Sequence, residues 1–272
     1  MDQTLVYHED AAGIGGETVF CGPSESFFTE DSRRLRVGLR FSWSPSKTVF
    51  PEFFVAKLYA VGDIHGSLTH LTRLVERVPF ESEDRIVFMG DYIDRGPDSR
   101  GTVQFLLQFR KQFPRSVFLR GNHEEMFEDY LHRSGQFPSG TFLLNGGAET
   151  LDSYGLDPQG KAQVEDFPAD HLEFLFGTDL MHREDQLLLV HAGIRPSVPL
   201  EDQSREDLLW IREEFFLHEH SLGLTVVFGH TPLREIFQNL PYAIGIDTGA
   251  VYGGRLTCVE LADGVIENTY QV

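Results

Sequence analysis

From residue 57 onward, short apolar runs alternate with longer stretches in which apolar residues recur every three or four positions. The short runs suit buried strands and the longer stretches suit amphipathic helices. The pattern predicts strands over 57–62, 85–90, 116–121, 186–190 and 225–229. It predicts helices over 67–78, where Leu68, Leu71, Leu74 and Val75 share a face, and over 97–113, with Pro97 at a permitted early position. Further helices are predicted over 124–132 and 205–216, with a helical section between them. The tail is strand-rich, over 243–247, 255–261 and 265–270. Strand and helix in alternation predict an α/β fold. No internal repeat is visible.

Residues 1–55 carry no such period. Gly13, Gly15, Gly16, Gly22, Pro23, Pro45 and Pro51 punctuate them, and one strand is expected within 35–43. Arg33, Arg34, Arg36 and Arg40 read as solvated charge. The chain therefore divides into an N-terminal extension, 1–55, and a regular domain, 56–272.

The predicted strands end in unusual clusters. Gly62-Asp63-Ile64-His65-Gly66 follows the first and Gly90-Asp91-Tyr92-Ile93-Asp94-Arg95-Gly96 the second. Arg120-Gly121-Asn122-His123-Glu124 follows the third, His191-Ala192-Gly193 the fourth and Gly229-His230 the fifth. Parallel strands bring their carboxyl ends to one sheet edge, where ligands bind. Asp63, His65, Asp91, Asn122, His191 and His230 converging there would suit two divalent ions such as Mn, Fe or Zn, with Asp91 as the bridge. Such a pair lowers the pKa of a shared water and clamps an in-line displacement at phosphorus.

Composition narrows the choice. Of 272 residues, 23 are Lys or Arg and 42 are Asp or Glu, a formal net charge of -19. That field opposes nucleic acid and anionic membrane as partners. The 2 cysteines, Cys21 and Cys258, allow neither a disulfide framework nor a Cys-rich zinc site. Neither sits in a Cys-x5-Arg loop, so a cysteine-based tyrosine phosphatase is excluded. Residues 1–30 hold six acids and no Lys or Arg, opposite to secretory and mitochondrial leaders, so a cytoplasmic location is expected.

These motifs, the first three about 28 to 31 residues apart, resemble the metallophosphoesterase superfamily. Within it they resemble the phosphoprotein phosphatases that act on Ser/Thr, in their compact bacterial form. The resemblance covers roughly residues 57 to 262 and implies a sandwich of two mixed sheets flanked by helices, four layers α/β/β/α. It implies that Asp63, His65 and Asp91 hold one ion, Mn2+ first among the options. Asp91, Asn122, His191 and His230 would hold the other. His123, paired with Asp94, would protonate the leaving alcohol, and metal-activated water would attack phosphorus. Arg95 and Arg212 would grip the phosphoryl oxygens, and Asn145 would lie on the substrate side. A phosphorylated protein or peptide is the implied substrate.

A symmetric bis(5'-nucleosyl)-tetraphosphate hydrolase is the alternative, since it shares the first and third motifs. The intact Asp94 favours the phosphoprotein type, whose alkoxide leaving group needs a proton. An inactive binding module would lack a ligand or the acid, and none is missing. Arg120 is read as a salt-bridge former and Tyr92 as lining or packing; Asp247 ends a strand near the same edge, where supporting a metal-binding histidine is one option beside a plain structural role. His8, His70, His132, His171, His182, His218 and His220 are read as surface or core residues.

Overall fold

The computed structural model describes residues 37–40 and 52–272. The expected strand within 35–43 is described at β1 (Val37–Arg40), which pairs antiparallel with β2 (Glu52–Val55). The rest of the extension, including Arg33, Arg34, Arg36 and His8, lies outside the described residues.

The regular part begins with β3 (Leu58–Val61), α1 (Leu68–Arg77), β4 (Arg85–Phe88), α2 (Ser99–Gln112), β5 (Val117–Phe118) and α3 (Asn122–His132). A helical section with α4 (Ala148–Ser153) and α5 (Ala169–Phe176) follows. Then come β6 (Met181–Glu184), β7 (Leu187–Val190), α6 (Arg205–Trp210), α7 (Glu213–Phe216) and β8 (Thr225–Phe228). The chain finishes with β9 (Phe237–Asn239), β10 (Ala243–Gly245), β11 (Thr257–Ala262) and β12 (Val265–Gln271). One sheet runs β12-β11-β3-β4-β5 and the other β6-β7-β8-β10-β9. Both are mixed: β3, β4 and β5 are parallel, as are β7, β8 and β10, while the remaining pairings are antiparallel.

The apolar runs are continuous because both faces of each sheet are covered. Period two then sorts their side chains. Leu58, Ala60, Val87 and Met89 face one way and meet Leu187, Leu189 and Val227 of the other sheet. Tyr59, Val61, Ile86 and Phe88 face the opposite way, into a core with Leu71, Leu74, Leu106 and Phe127 of the helices. Leu188, Val190, Val226 and Phe228 pack against Leu208, Phe215 and Phe216. The result is the four-layer α/β/β/α sandwich.

Five differences from the sequence reading bear on the site. The motif-bearing strands do not share one sheet edge: β3, β4 and β5 lie in one sheet, β7 and β8 in the other. Helix α3 starts at Asn122 rather than Glu124, because the Glu124 carboxylate accepts the Gly121 N–H at 2.9 Å and caps the turn. Helix α2 starts after Pro97, with Asp98 accepting the Gly101 N–H at 2.7 Å. The helix expected over 205–216 breaks at Ile211 and Arg212, where buried Ile211 turns extended into the core beside Phe215. Edge strands β6 and β9 carry no strand signal in the sequence because MHRE and FQN are short and mostly polar.

Candidate metal centre

Five chain segments meet where the two sheets present their strand ends, and the backbone there is unusual. Among the described residues, eight non-glycine residues have positive φ, and five belong to the motifs: His65, Asp91, Asp94, Arg95 and His230. Each such conformation costs on the order of 1–2 kcal/mol, and such strain clusters at functional sites. Two glycines permit the close approach. Gly90 has φ 102°, and a Cβ there would lie 2.7 Å from the Gly121 nitrogen and 2.8 Å from Nδ1 of His191. A Cβ on Gly121 would overlap the Asp91 carboxylate. The first and second motifs are stitched together by the Asp91 carbonyl, which accepts N–H bonds from Ile64 (3.1 Å) and His65 (2.8 Å).

Asp91 stands at the centre. Its carboxylate belongs to two buried groups whose ligand atoms all lie within 4.8 Å of one another: His65, Asp91 and His123, and Asp91, His191 and His230. His65 and His191 each have one nitrogen committed outside the centre. His65 Nδ1 donates to the Ile93 carbonyl at 2.9 Å and His191 Nδ1 to the Met89 carbonyl at 2.7 Å. A carbonyl only accepts, so these bonds fix the tautomer and leave Nε2 with its lone pair. Burial pushes the His65 ring down to about 3 and lowers His191 as well, which keeps both neutral. Burial alone would raise Asp91, but positive charge on the imidazoles around it, of which His123 is the one whose pKa is raised, holds its carboxyl well below the usual range.

These atoms fit a cation. His191 Nε2 faces Asn122 Oδ1 at 3.0 Å and Asp91 Oδ1 at 3.4 Å, lone pair against lone pair. His65 Nε2 faces Asp91 Oδ2 at 3.4 Å. Asp63 Oδ1 and His230 Nε2 are buried with no hydrogen-bond partner. Buried acceptors in this number are costly unless a positive charge satisfies them. The donor set of imidazole, carboxylate and amide oxygen suits borderline and hard divalent ions. Asn122 joins the second group, its Oδ1 lying 3.0 Å from His230 Nδ1. Asp63 lies beside the centre: its Oδ2 accepts the His230 N–H at 2.9 Å, and burial together with Asp247 and Asp91 pushes its carboxyl well above the usual range.

Beyond the cation-facing atoms, His123 Nδ1 is 2.7 Å from Asp94 Oδ2. Its Nε2 is buried without a partner, 3.9 Å from Asp91 Oδ2. Burial opposes charge on this ring, but the Asp91 and Asp94 carboxylates outweigh it and raise its pKa. Asp94 is itself held, with its Oδ1 accepting from the Thr150 hydroxyl at 2.6 Å and its N–H donating to Ser99 Oγ at 3.0 Å. Thr150 carries no sequence motif, and only the fold brings it here. Glu124 was legible only as a neighbour of His123. Its buried carboxylate takes the N–H groups of Gly121, Asp91 and Tyr92 at 2.9 to 3.0 Å, tying the second motif to the third.

The remaining candidates separate. Arg95 reaches the centre, with Nη1 donating to His65 Nε2 at 2.6 Å. One lone pair cannot serve this donor and an ion together, so an ion at His65 requires the guanidinium to turn away. Arg212 lies near enough for its charge to add to the burial that lowers His191 and His230. Asn145 spends its amide on the Thr141 carbonyl, at 2.8 Å, inside its own turn. Arg120 is buried in ion pairs with Glu125 and Glu128, as a structural residue would be. Tyr92 packs at 5.6 Å from the Phe174 ring and donates its hydroxyl to the Leu119 carbonyl at 2.6 Å. Asp247 is buried and accepts the Gly249 N–H at 2.9 Å, and burial raises its carboxyl to about 6.

A two-sheet sandwich with imidazoles and carboxylates gathered at its strand ends defines a metallophosphoesterase. Residues 56–262 match the model of the calcineurin-like phosphoesterase family, and the chain belongs to that family. Serine/threonine-protein phosphatase 1 of Salmonella typhimurium is 33% identical over 212 residues, 75% of this chain and 91% of that protein. The asymmetrical bis(5'-nucleosyl)-tetraphosphatase PrpE of Bacillus thuringiensis is 26% identical, over 73% of this chain and 88% of its own. A solved structure presented as a candidate diadenosine tetraphosphatase superposes with a TM-score of 0.59 at 25% identity, covering 79% of this chain and 93% of that one. The chain is thus a phosphoesterase with residues positioned for divalent metal. Among the described residues no helix is long and apolar enough to cross a membrane.

Proposed function

We propose that this phosphoesterase is a phosphoprotein phosphatase that removes phosphate from serine and threonine, with two divalent ions, Mn2+ foremost. The observation that carries this reading is the His123–Asp94 pair at 2.7 Å, with the free Nε2 buried beside Asp91. A serine or threonine alkoxide is a poor leaving group and needs a proton as the P–O bond breaks. A ring whose Nδ1 is held by a carboxylate, and whose pKa is raised, is suited to deliver it from Nε2. The similarity to the Salmonella serine/threonine phosphatase supports the same choice.

Asp63, His65 and Asp91 would hold one ion, and Asp91, Asn122, His191 and His230 the other. Ions so held supply Lewis acidity and an activated water. The protein's own groups do the rest. Asp94, fixed by Thr150 and Ser99, orients His123 and stabilises its charged form. Arg95 and Arg212 bind the phosphoryl oxygens, where a guanidinium fork offers paired donors. The backbone strain at His65, Asp91, Asp94 and His230 holds these groups before substrate arrives.

A second reading, hydrolysis of a dinucleoside tetraphosphate, is favoured by the PrpE relatives and the diadenosine tetraphosphatase structure. A nucleotide leaving group is stable as an anion and makes less use of His123. Rates with added Mn2+ on phosphoserine, phosphothreonine and phosphotyrosine peptides and on diadenosine tetraphosphate decide between them. The phosphopeptides are expected to be turned over faster. Turnover of diadenosine tetraphosphate alone would overturn the proposal.

A further inference from the structure

Two consecutive residues of the second motif, Asp94 (φ 73°) and Arg95 (φ 67°), sit in the left-handed region. Neither is glycine, so the backbone there must be held in place from outside. Asp94 N–H is shared between Ser99 Oγ at 3.0 Å and Thr150 Oγ1 at 2.9 Å. Arg95 N–H donates to the Gly146 carbonyl at 3.0 Å. Gly146 and Thr150 lie on one short stretch, the turn Leu143–Gly147 and the first residues of α4. That stretch grips Asp94 and Arg95 together through their backbone.

The turn is built for so close an approach. Gly146 has φ 98°, and a Cβ there would lie 2.7 Å from the Arg95 nitrogen, 3.0 Å from its Cα and 2.6 Å from its Cγ. The turn is also anchored on both sides. Before it, Phe142 is buried against Phe127 and Tyr130 of α3, with ring centroids 5.3 and 4.8 Å apart. After it, Ser153 Oγ of α4 accepts the Arg100 N–H of α2 at 3.1 Å. Within it, the Asn145 amide donates to the Thr141 carbonyl at 2.8 Å. None of these contacts uses the Arg95 guanidinium or a cation-facing atom. When the guanidinium turns from His65 to admit an ion, this backbone grip stays, and the side chain swings about it.

We infer that Gly146 is a positioning residue for Arg95, its carbonyl fixing the backbone from which the guanidinium reaches the phosphoryl oxygens. A guanidinium fork meets paired oxygens in a defined geometry, so the direction in which its stem leaves the chain matters. The sequence Asn145-Gly146-Gly147 thereby acquires a role: Gly146 aims Arg95, and Asn145 ties the turn that carries Gly146. The inference rests on the proposal above that Arg95 binds phosphate. It holds for a phosphoprotein and for a dinucleotide substrate alike.

The test is a double-mutant cycle on the full chain with added Mn2+. Wild type, Gly146→Ala, Arg95→Ala and the double variant are assayed on a phosphoserine peptide and on diadenosine tetraphosphate, with inorganic phosphate as a competitive inhibitor. Gly146→Ala is expected to lower kcat/KM about tenfold, mainly through KM, and to weaken phosphate inhibition by a similar factor. In the Arg95→Ala background the same substitution should change both by less than about twofold. An equal loss in both backgrounds overturns the inference, because it leaves Gly146 a role in the fold alone. A Gly146→Ala enzyme as active as wild type also overturns it. If Gly146→Ala does not fold, Asn145→Ala loosens the turn without placing an atom against Arg95. A rise in KM of about two- to threefold in that variant, absent from the Arg95→Ala background, supports the inference. No rise, or the same rise in both backgrounds, overturns it. Full activity in Arg95→Ala alone removes the phosphate grip proposed for Arg95, and this inference with it. A wild type active only on diadenosine tetraphosphate removes the phosphoprotein reading, while coupling between Gly146 and Arg95 on that substrate still supports the role of Gly146.

Discussion

The two sheets contribute unequally to the centre. The sheet containing β3, β4 and β5 supplies Asp63, His65, Asp91, Asp94, Arg95, Asn122 and His123, and its loops brace one another. Gly66 N–H bonds the Tyr92 carbonyl at 2.8 Å, Asp98 N–H bonds the Gly66 carbonyl at 3.1 Å, and Glu124 ties the second loop to the third. The other sheet supplies His191 and His230, and both are oriented by groups across the seam. His191 is turned by the Met89 carbonyl at 2.7 Å, and the His230 backbone N–H is held by Asp63 at 2.9 Å. One side is built to stand by itself, and the other takes its alignment from the first. Asp91 is the residue that belongs to both cation-facing groups.

That asymmetry orders the expected effects of mutation. Asp91→Asn strikes both halves, and kcat/KM on a phosphoserine peptide should fall by roughly a thousandfold or more. Full activity in this variant would break the idea of a shared carboxylate. His123→Asn removes the proposed acid but leaves the cation-facing atoms of His191 and His230 intact. Its kcat on phosphoserine should drop by about 10²–10⁴. The drop should be smaller for an aryl phosphate with a good leaving group, and equal losses on both would remove His123 as the proton donor.

His191→Ala tests the dependent half. Titration with Mn2+ should show one ion lost and the other kept, and loss of both would mean that the two halves are not separable. Thr150→Val withdraws the hydroxyl from buried Asp94, leaving an acceptor short of one partner. A loss of about 1–3 kcal/mol in unfolding free energy is expected by denaturant titration. If the proposed His123–Asp94 pair donates the proton, its kcat should fall more than its KM rises, because Thr150 hydrogen-bonds Asp94. Arg205→Ala should matter least. Its side chain is 46% exposed, and though it pairs with buried Glu125, Arg120 and Gln136 still serve that carboxylate. A change of at most about 1 kcal/mol is expected, with activity unchanged.

The same asymmetry separates what was legible in the sequence from what was not. The ligand types at the strand ends and the strands behind them could be read, because a buried strand is a short apolar run and its terminal loop is polar. The split between two sheets could not be read from periodicity, since 187–190 and 225–228 look like 85–88 in isolation; only the resemblance implied two sheets. The start of α3 at Asn122 is not legible from periodicity, because the side chain of Glu124 caps the helix from inside its own first turn. Thr150 and Ser99 had no signal, because their role comes from distance in space: Thr150 is 56 residues from Asp94. The broken helix at Ile211 and Arg212 follows from packing, which overrides an amphipathic pattern that would otherwise continue.

The central claim is that two divalent ions sit at the seam and share Asp91. Counting tightly bound Mn2+ per chain, by equilibrium dialysis and elemental analysis of wild type and Asp91→Asn, tests it most directly. Two ions in the wild type and loss of tight binding at both sites in Asp91→Asn are expected. A wild type that binds no Mn2+, or an Asp91→Asn variant that keeps both ions with undiminished affinity, would contradict the account.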